Sequence, residues 1–242
     1  MKHDHTNELG QPIGPPMPGW KGVERPPRTA MAGRYCRVEP IDPAHHAEDL
    51  HRANALDPSN RNFTYLLSGP FDTFDAYRKW METSCLGDDP LFHAIVDFDT
   101  GKAAGVASYM RIDPKNAVIE VGNINYSPLL QRKPAATEAM YLMMKRVFEL
   151  GYRRYEWKCD SLNAPSRAAA QRLGFSYEGI FRQAIIYKGR SRDTAWYAVI
   201  DSEWPALEHA FQRWLDPANF DAQGNQRERL SDLTAPILKQ RG

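Results

Sequence analysis

Residues 117–150, AVIEVGNINYSPLLQRKPAATEAMYLMMKRVFEL, hold a strand, a short basic loop and a long helix in immediate succession. Val118, Ile119 and Val121 form an apolar run, and Gly122-Asn123-Ile124-Asn125-Tyr126 continues it in extended form until Pro128 ends the strand. Gln131-Arg132-Lys133 brings two cations into the loop. Ala136, Met140, Met143, Met144, Val147 and Phe148 then recur at helical spacing, and Gly151 stands where a helix-ending glycine belongs. A strand that feeds a helix through a basic loop aims free N–H groups and the positive helix end at one point, which suits a phosphate. Any α/β protein contains strand–loop–helix units, so this pattern alone leaves phosphate binding open.

The composition narrows the classes. The chain has 242 residues, enough for one sizeable domain with extensions or two small ones. Its 31 basic and 30 acidic residues nearly cancel, which argues against nucleic acid or a membrane surface as a partner. The 25% charged and 42% hydrophobic fractions are those of a water-soluble globular protein. Three cysteines, Cys36, Cys85 and Cys159, lie far apart with no CxxC pair, as in a reducing compartment. No apolar run approaches a membrane span and the N-terminus is polar, so a cytoplasmic location is expected. His3 and His5 form no convincing metal tract, and no metal is expected.

Along the chain, residues 1–32 are rich in Pro and Gly and read as an arm over the domain, with Trp20 as anchor, or as a loose tail. Strands are expected at 34–40, 91–98, 103–112, 117–126, 154–159, 177–187 and 194–200. Asp42-Pro43 opens a helix to about Leu56, and Asp72 is expected to cap another over 73–85. Asn163 caps a helix ending at Leu173. Residues 188–193 form a polar turn. Trp204-Pro205 begins an amphipathic helix within a C-terminal segment, 202–242, whose end is polar. Trp204 and Trp214 on that helix cover either the chain's own sheet or a twin subunit, so a homodimer stays open. The element order predicts an α+β fold around a mixed, mostly antiparallel sheet of about seven strands, the fourth and fifth parallel through a helical crossover.

This order resembles the GNAT superfamily of acetyl-CoA-dependent N-acetyltransferases, and within it the ribosomal-protein-acetylating subgroup. The pyrophosphate loop would be Gln131-Arg132-Lys133-Pro134-Ala135-Ala136, followed by Thr137-Glu138-Ala139. The second signature is Asn163-Ala164-Pro165-Ser166 running to Leu173-Gly174-Phe175, then Tyr177-Glu178-Gly179 and Phe181-Arg182. The third is Gly189-Arg190-Ser191-Arg192-Asp193. The likeness covers residues 34–200, and the catalytic domain is expected at 33–201. It implies a three-layer α/β/α fold splayed between the fourth and fifth strands. It also implies direct acetyl transfer to a primary amine of a small molecule or of a peptide or protein. Pro134 replaces the usual glycine and lacks an N–H, although proline suits the first helical turn. A non-catalytic acyl-CoA-binding or partner-binding module of the same fold is the alternative.

The resemblance also assigns roles. Backbone at Ile124, Asn125 and Tyr126 would take the pantetheine arm and steady the thioester oxygen. Gln131, Arg132, Lys133, Ala135, Ala136 and Thr137 would hold the pyrophosphate. Asn163 either caps its helix or also touches the arm. Ser166 either does the same or protonates the leaving thiolate, since Ala170 stands about where many relatives carry a tyrosine acid. Glu120 is the candidate general base, unless it merely pairs with a cation. Arg182, Tyr187 and Asp193 would border the acceptor amine. Cys159 is expected to be a buried apolar side chain rather than a nucleophile.

Overall fold

The computed structural model describes residues 5–242; His3 and the first four residues of the arm lie outside the described part. In chain order the elements are β1 (Met31–Ala32), β2 (Cys36–Pro40), α1 (Pro43–Asn54), α2 (Phe74–Ser84), β3 (Leu91–Asp97), β4 (Lys102–Asp113) and β5 (Val118–Tyr126). There follow α3 (Pro134–Glu149), β6 (Arg154–Asp160), α4 (Ala164–Arg172), β7 (Ser176–Tyr187), β8 (Arg190–Ile200), α5 (Trp204–Leu215) and α6 (Leu230–Thr234). The strands make one eight-stranded sheet in the order β1-β2-β3-β4-β5-β6-β8-β7. Among the described residues, only β5 and β6 run parallel.

The sheet is covered on both faces. Successive residues of β3 alternate between two cores: Leu91 and Ile95 join the α3–α5 side, while Phe92, Ala94 and Val96 join α1 and α2 through Leu50, Tyr77 and Met81. A strand buried on both faces reads as an apolar run, which is why 91–98 stood out in sequence. Helix α3 ends on Gly151, whose positive φ of 86° lets the chain reverse. Gly174 also needs its φ of 90°, and a Cβ there would stand 2.3 Å from Leu207 of α5.

The elements match the expected order with four differences, one of them the short helix α6 in the expected polar tail. An eighth strand, Met31–Ala32, pairs with Val38 and Arg37. Helix α2 is capped by Thr73, whose side chain accepts from the Ala76 N–H at 3.2 Å, and not by Asp72. The turn before β8 is only Lys188-Gly189, both at positive φ, because such a pair matches strand twist and lets the ladder continue to Tyr187 and Arg190. The arm is anchored as expected: the Trp20 indole donates to the Lys115 carbonyl at 2.8 Å. The two tryptophans of α5 are buried by the chain itself, Trp204 stacking on Phe148 and Trp214 packing edge-on to Phe220. The tail hugs the surface: the Tyr177 N–H donates to Gln240 O at 3.0 Å.

One buried carboxylate ties the front of the sheet to α3. Glu138, 5% exposed, accepts from the backbone N–H groups of Arg34, Tyr35 and Cys36 at 2.7, 2.6 and 2.9 Å. Hydrogen bonds to a charged acceptor contribute about 1.5–3 kcal/mol each at most. Glu138→Gln turns an amide N–H₂ toward these donors. It is expected to lower the melting temperature by about 5–10 °C, from roughly 2–4 °C per kcal/mol in a chain of this size. A calorimetric drop under about 2 °C would contradict the tie.

Candidate active site at the parting of two strands

The parallel ladder between β5 and β6 ends at the pair Val121 and Trp157. Both strands run on, β5 to Tyr126 and β6 to Asp160, without pairing to each other. A bulge drives them apart: Val106–Ser108 of β4 face Gly122–Asn125 of β5, and the extra residue, Asn123, takes φ 51°.

The N-terminus of α3 points into this parting. Pro134 is its first residue, Lys133 is an uncapped N-cap in extended conformation, and no acidic residue lies in the first turn. The Gln131, Lys133 and Ala136 N–H groups are used by carbonyls of Ser127, Leu130 and Lys133. Among the described residues, the Arg132 and Ala135 N–H groups have no acceptor. Lys133 does not reach outward: its ammonium lies 2.6 Å from the buried Asp97 carboxylate, which raises the lysine pKa through that hydrogen bond. Arg132 is exposed, with φ 63°. Gln131 turns back and donates from Nε2 to the Tyr126 carbonyl at 2.8 Å, an oxygen that also accepts from Asn62 Nδ2 at 2.8 Å. The Thr137 hydroxyl accepts from Arg172 Nη2 at 2.8 Å.

On the other arm, Asn163 accepts from the Ser166 N–H at 3.2 Å, so it caps α4 as expected. Ser166 Oγ accepts from the Trp157 indole N–H at 3.0 Å. It therefore sits at the last parallel pair, where the strands part. Cys159 is buried and free, and burial, as the largest cause, raises its thiol pKa. Ala170 is fully buried.

A ladder of charges crosses the sheet. Arg111 Nη1 of β4 donates to both Glu120 oxygens at 2.7 Å. Lys158 Nζ lies 2.9 Å from Glu120 and 2.7 Å from Glu156. Arg154 bridges Glu156 and Glu178, both at 2.7 Å. Lys158 is roofed by the Trp196 ring at 3.8 Å, itself stacked under Phe181. Glu156 would be raised by burial, but the hydrogen bonds from Lys158 and Arg154 outweigh this and hold it below its ordinary value.

The loop 60–69 straddles the parting. Besides Asn62 on Tyr126, the Tyr65 hydroxyl donates to the Leu162 carbonyl at 3.2 Å. From the β7–β8 turn, Lys188 donates to Phe63 O at 2.8 Å and Arg190 to Thr64 O at 2.8 Å.

A family model described as the acetyltransferase (GNAT) domain matches residues 37–176. The chain belongs to the GNAT acetyltransferase family. A GCN5-related N-acetyltransferase from Brucella melitensis is similar over 90% of this chain and 100% of its own, at 47% identity and TM-score 0.88. A protein from Chromobacterium violaceum, described as a probable acetyltransferase of the GNAT family, shares 39% identity over 81% of this chain and 98% of its own, TM-score 0.75. The microcin C7 self-immunity acetyltransferase MccE, solved with acetyl-CoA and AMP, shares the fold at 23% identity and TM-score 0.59, over 69% of this chain and 93% of its own. No curated protein matches the sequence significantly. As a GNAT acetyltransferase the chain is an acyltransferase, and enzymes of this family take the acetyl group from acetyl-CoA. No described helix is long and apolar enough to cross a membrane.

Set on the GNAT frame, the sequence candidates separate. Ile124, Asn125, Tyr126, the 131–137 loop, Asn163 and Ser166 gather around the parting. Glu120 lies one residue before the last parallel pair but is 2% exposed and bridged by two cations. Tyr187 donates to the buried Asp160 carboxylate at 2.8 Å, and Asp193 accepts from the Gln183 N–H at 2.7 Å. Arg182 is exposed on β7. Asn62, Tyr65, Arg111, Asp160 and Arg172 were missed because their roles depend on partners far away in sequence. The one visible trace was the alternation of Arg154, Glu156 and Lys158 on one strand face.

Removing one partner of a buried ion pair costs about 3–5 kcal/mol. Lys158→Met is therefore expected to lower stability by that order in urea unfolding. The share of the ladder held by Glu156 is complete above the ordinary value of 4.5 and fades as pH falls below it, because its folded pKa is depressed. Equal urea midpoints for Lys158→Met and the parent at neutral pH would remove the ladder from the stability argument.

Proposed function

We propose that the enzyme carries an acetyl group directly from acetyl-CoA to a primary amine of a small molecule or of a peptide or protein N-terminus. By its motifs the chain resembles the ribosomal-protein-acetylating subgroup, which favours a peptide or protein amine. The observation that carries this reading is the pair of unmet N–H groups, Arg132 and Ala135, at the head of a helix without a first-turn carboxylate, beside a parted parallel ladder. Diphosphate fits that cradle: it needs donors and positive potential, and finds both with no competing acid. Pro134 forfeits one donor, and Arg132 offers the free side-chain charge nearby.

Acetyl-CoA supplies an activated acetyl group; the amine nitrogen gains it, losing a proton, and the coenzyme leaves as a thiol. In our reading, backbone at 124–126 orients the thioester arm. Asn163 and Ser166 line its far side, and the Ser166 hydroxyl stands ready to give a proton to the departing sulfur. Glu120 acts as the anchor of Arg111 and Lys158 rather than as the base, since its charge is already shared by both. Asp160 and Asp193 are likewise engaged. Proton loss then falls to water, which favours an amine of modest basicity. An α-amine titrates near 8, whereas a lysine amine titrates near 10.4. Arg182, Tyr187 and Asp193 frame the acceptor side with the loop 60–69. Three buried free thiols suit a reducing compartment such as the cytoplasm.

Saturating acetyl-CoA is expected to raise the melting temperature by several degrees, since a ligand at a hundred times its Kd adds about 2.7 kcal/mol. Arg132→Ala should weaken coenzyme binding about five- to tenfold at unchanged stability. Lys133→Ala should instead cost stability by orphaning Asp97. An unmoved melting temperature would sink the reading. Thiol release should climb with pH toward the amine's own pKa, and Glu120→Gln should keep that profile. Loss of the profile in Glu120→Gln would return the base to Glu120.

A further inference from the structure

The acceptor side holds an enclosed cavity between the loop 60–69, α2, β4 and β5. Phe63, Leu66, Trp80 and Val106 supply apolar walls, and Tyr77, Asn125, Ser68 and Asn123 add polar atoms; no charged side chain lines it. Of the four, Tyr77 and Asn125 are the buried ones, at 2% and 6% exposure, and Asn123 already donates to the Ser108 hydroxyl. Asn125 Nδ2 donates to Asn54 Oδ1 at 3.2 Å at the end of α1, with Asn125 Oδ1 on the other side of the amide as an acceptor. Among the described residues, neither Asn125 Oδ1 nor the Tyr77 hydroxyl makes a hydrogen bond of ordinary length, although the Asn54 side chain lies close enough to the Tyr77 phenol to lower its pKa a little. Burial pushes the Tyr77 phenol pKa up, so the group stays protonated and donates.

One donor and one acceptor thus border an uncharged cavity. Buried polar atoms left unmet are costly and rare, and mark a place for a ligand group or water. The space admits a group about the size of a water molecule. An ammonium or carboxylate would lose its hydration there with no counter-charge. A methyl would leave both polar atoms unmet. A hydroxyl answers both, donating to Asn125 and accepting from Tyr77. Asn125 also lies beyond the bulge, on the stretch of β5 whose backbone is assigned to the thioester arm, so in this reading the cavity lies beside the end of the arm where the amine attacks.

Resting on the acetyl-transfer reading above, we propose that this cavity is an acceptor subsite for a hydroxyl, and that the substrate is a hydroxyl-bearing primary amine. The test compares kcat/KM for ethanolamine against propylamine, and for serinamide against aminobutyramide, each pair exchanging hydroxyl for methyl. The hydroxyl member is expected to lead by about tenfold or more in at least one pair. Tyr77→Phe removes a single oxygen and keeps the ring. It should cut that lead to about twofold through KM, with the deoxy amine unaffected. No hydroxyl preference in either pair, or a preference that Tyr77→Phe leaves intact, overturns the subsite and leaves the cavity to a structural water. Calorimetry with acetyl-CoA runs alongside: binding with equal use of both amines sinks the subsite alone, whereas no binding sinks the acetyl-transfer reading beneath it.

Discussion

Two parallel strands can stay paired only while their backbones keep one register, and the extra residue at Asn123 ends that condition for β5. From Val121 onward the strand follows β4 and leaves β6. The rest of the active region is arranged around the space so created. Helix α3 begins beside it, α4 begins across from it, and the loop 60–69 spans it. A site built on backbone separation asks little of side-chain identity, which suits a shared coenzyme. The neighbouring loops remain free to vary for the acceptor.

Charge is placed economically around this opening. The cations nearest the sheet are consumed internally: Lys133 by Asp97, Lys158 by Glu120 and Glu156, Arg154 by Glu156 and Glu178. Each pair sits where desolvation would penalise a lone ion, so the network is a condition of folding rather than a reservoir of reactivity. What remains toward the proposed coenzyme site is backbone: a helix end and unmet N–H groups. What remains toward the proposed acceptor side is a neutral, largely aromatic space with two buried polar atoms of weak or no partnering.

The C-terminal segment is part of the same packing. Helix α5 lies on α3 through Tyr141, Phe148, Trp204 and Phe211, and Leu207 occupies the space that Gly174 leaves. The Leu173-Gly174-Phe175 motif is thus a packing requirement as much as a turn. Arg172, just before it, is stacked over Trp214 and bonded to Thr137, which couples the tail to the first turn of α3.

The sequence by itself determined the element order, the strand–loop–helix around Pro134 and the likeness to an acetyl-CoA enzyme. These properties are local: hydrophobic period, proline and glycine placement, and motifs within a few residues of one another. The arm anchored by Trp20 and the capping Asn163 were legible for the same reason. Only the tertiary structure decided what the polar side chains do. Glu120 could be a base or a paired carboxylate until Arg111 and Lys158 arrived from other strands, and Lys133 looked like a phosphate ligand until Asp97 was found beneath it. The side chains of Tyr77 and Asn125 carried no signal, being an ordinary helix aromatic and an amide on a strand end that the sequence marked only for its backbone. Their meaning depends on which atoms are left without partners after every element has packed, and no local pattern encodes that.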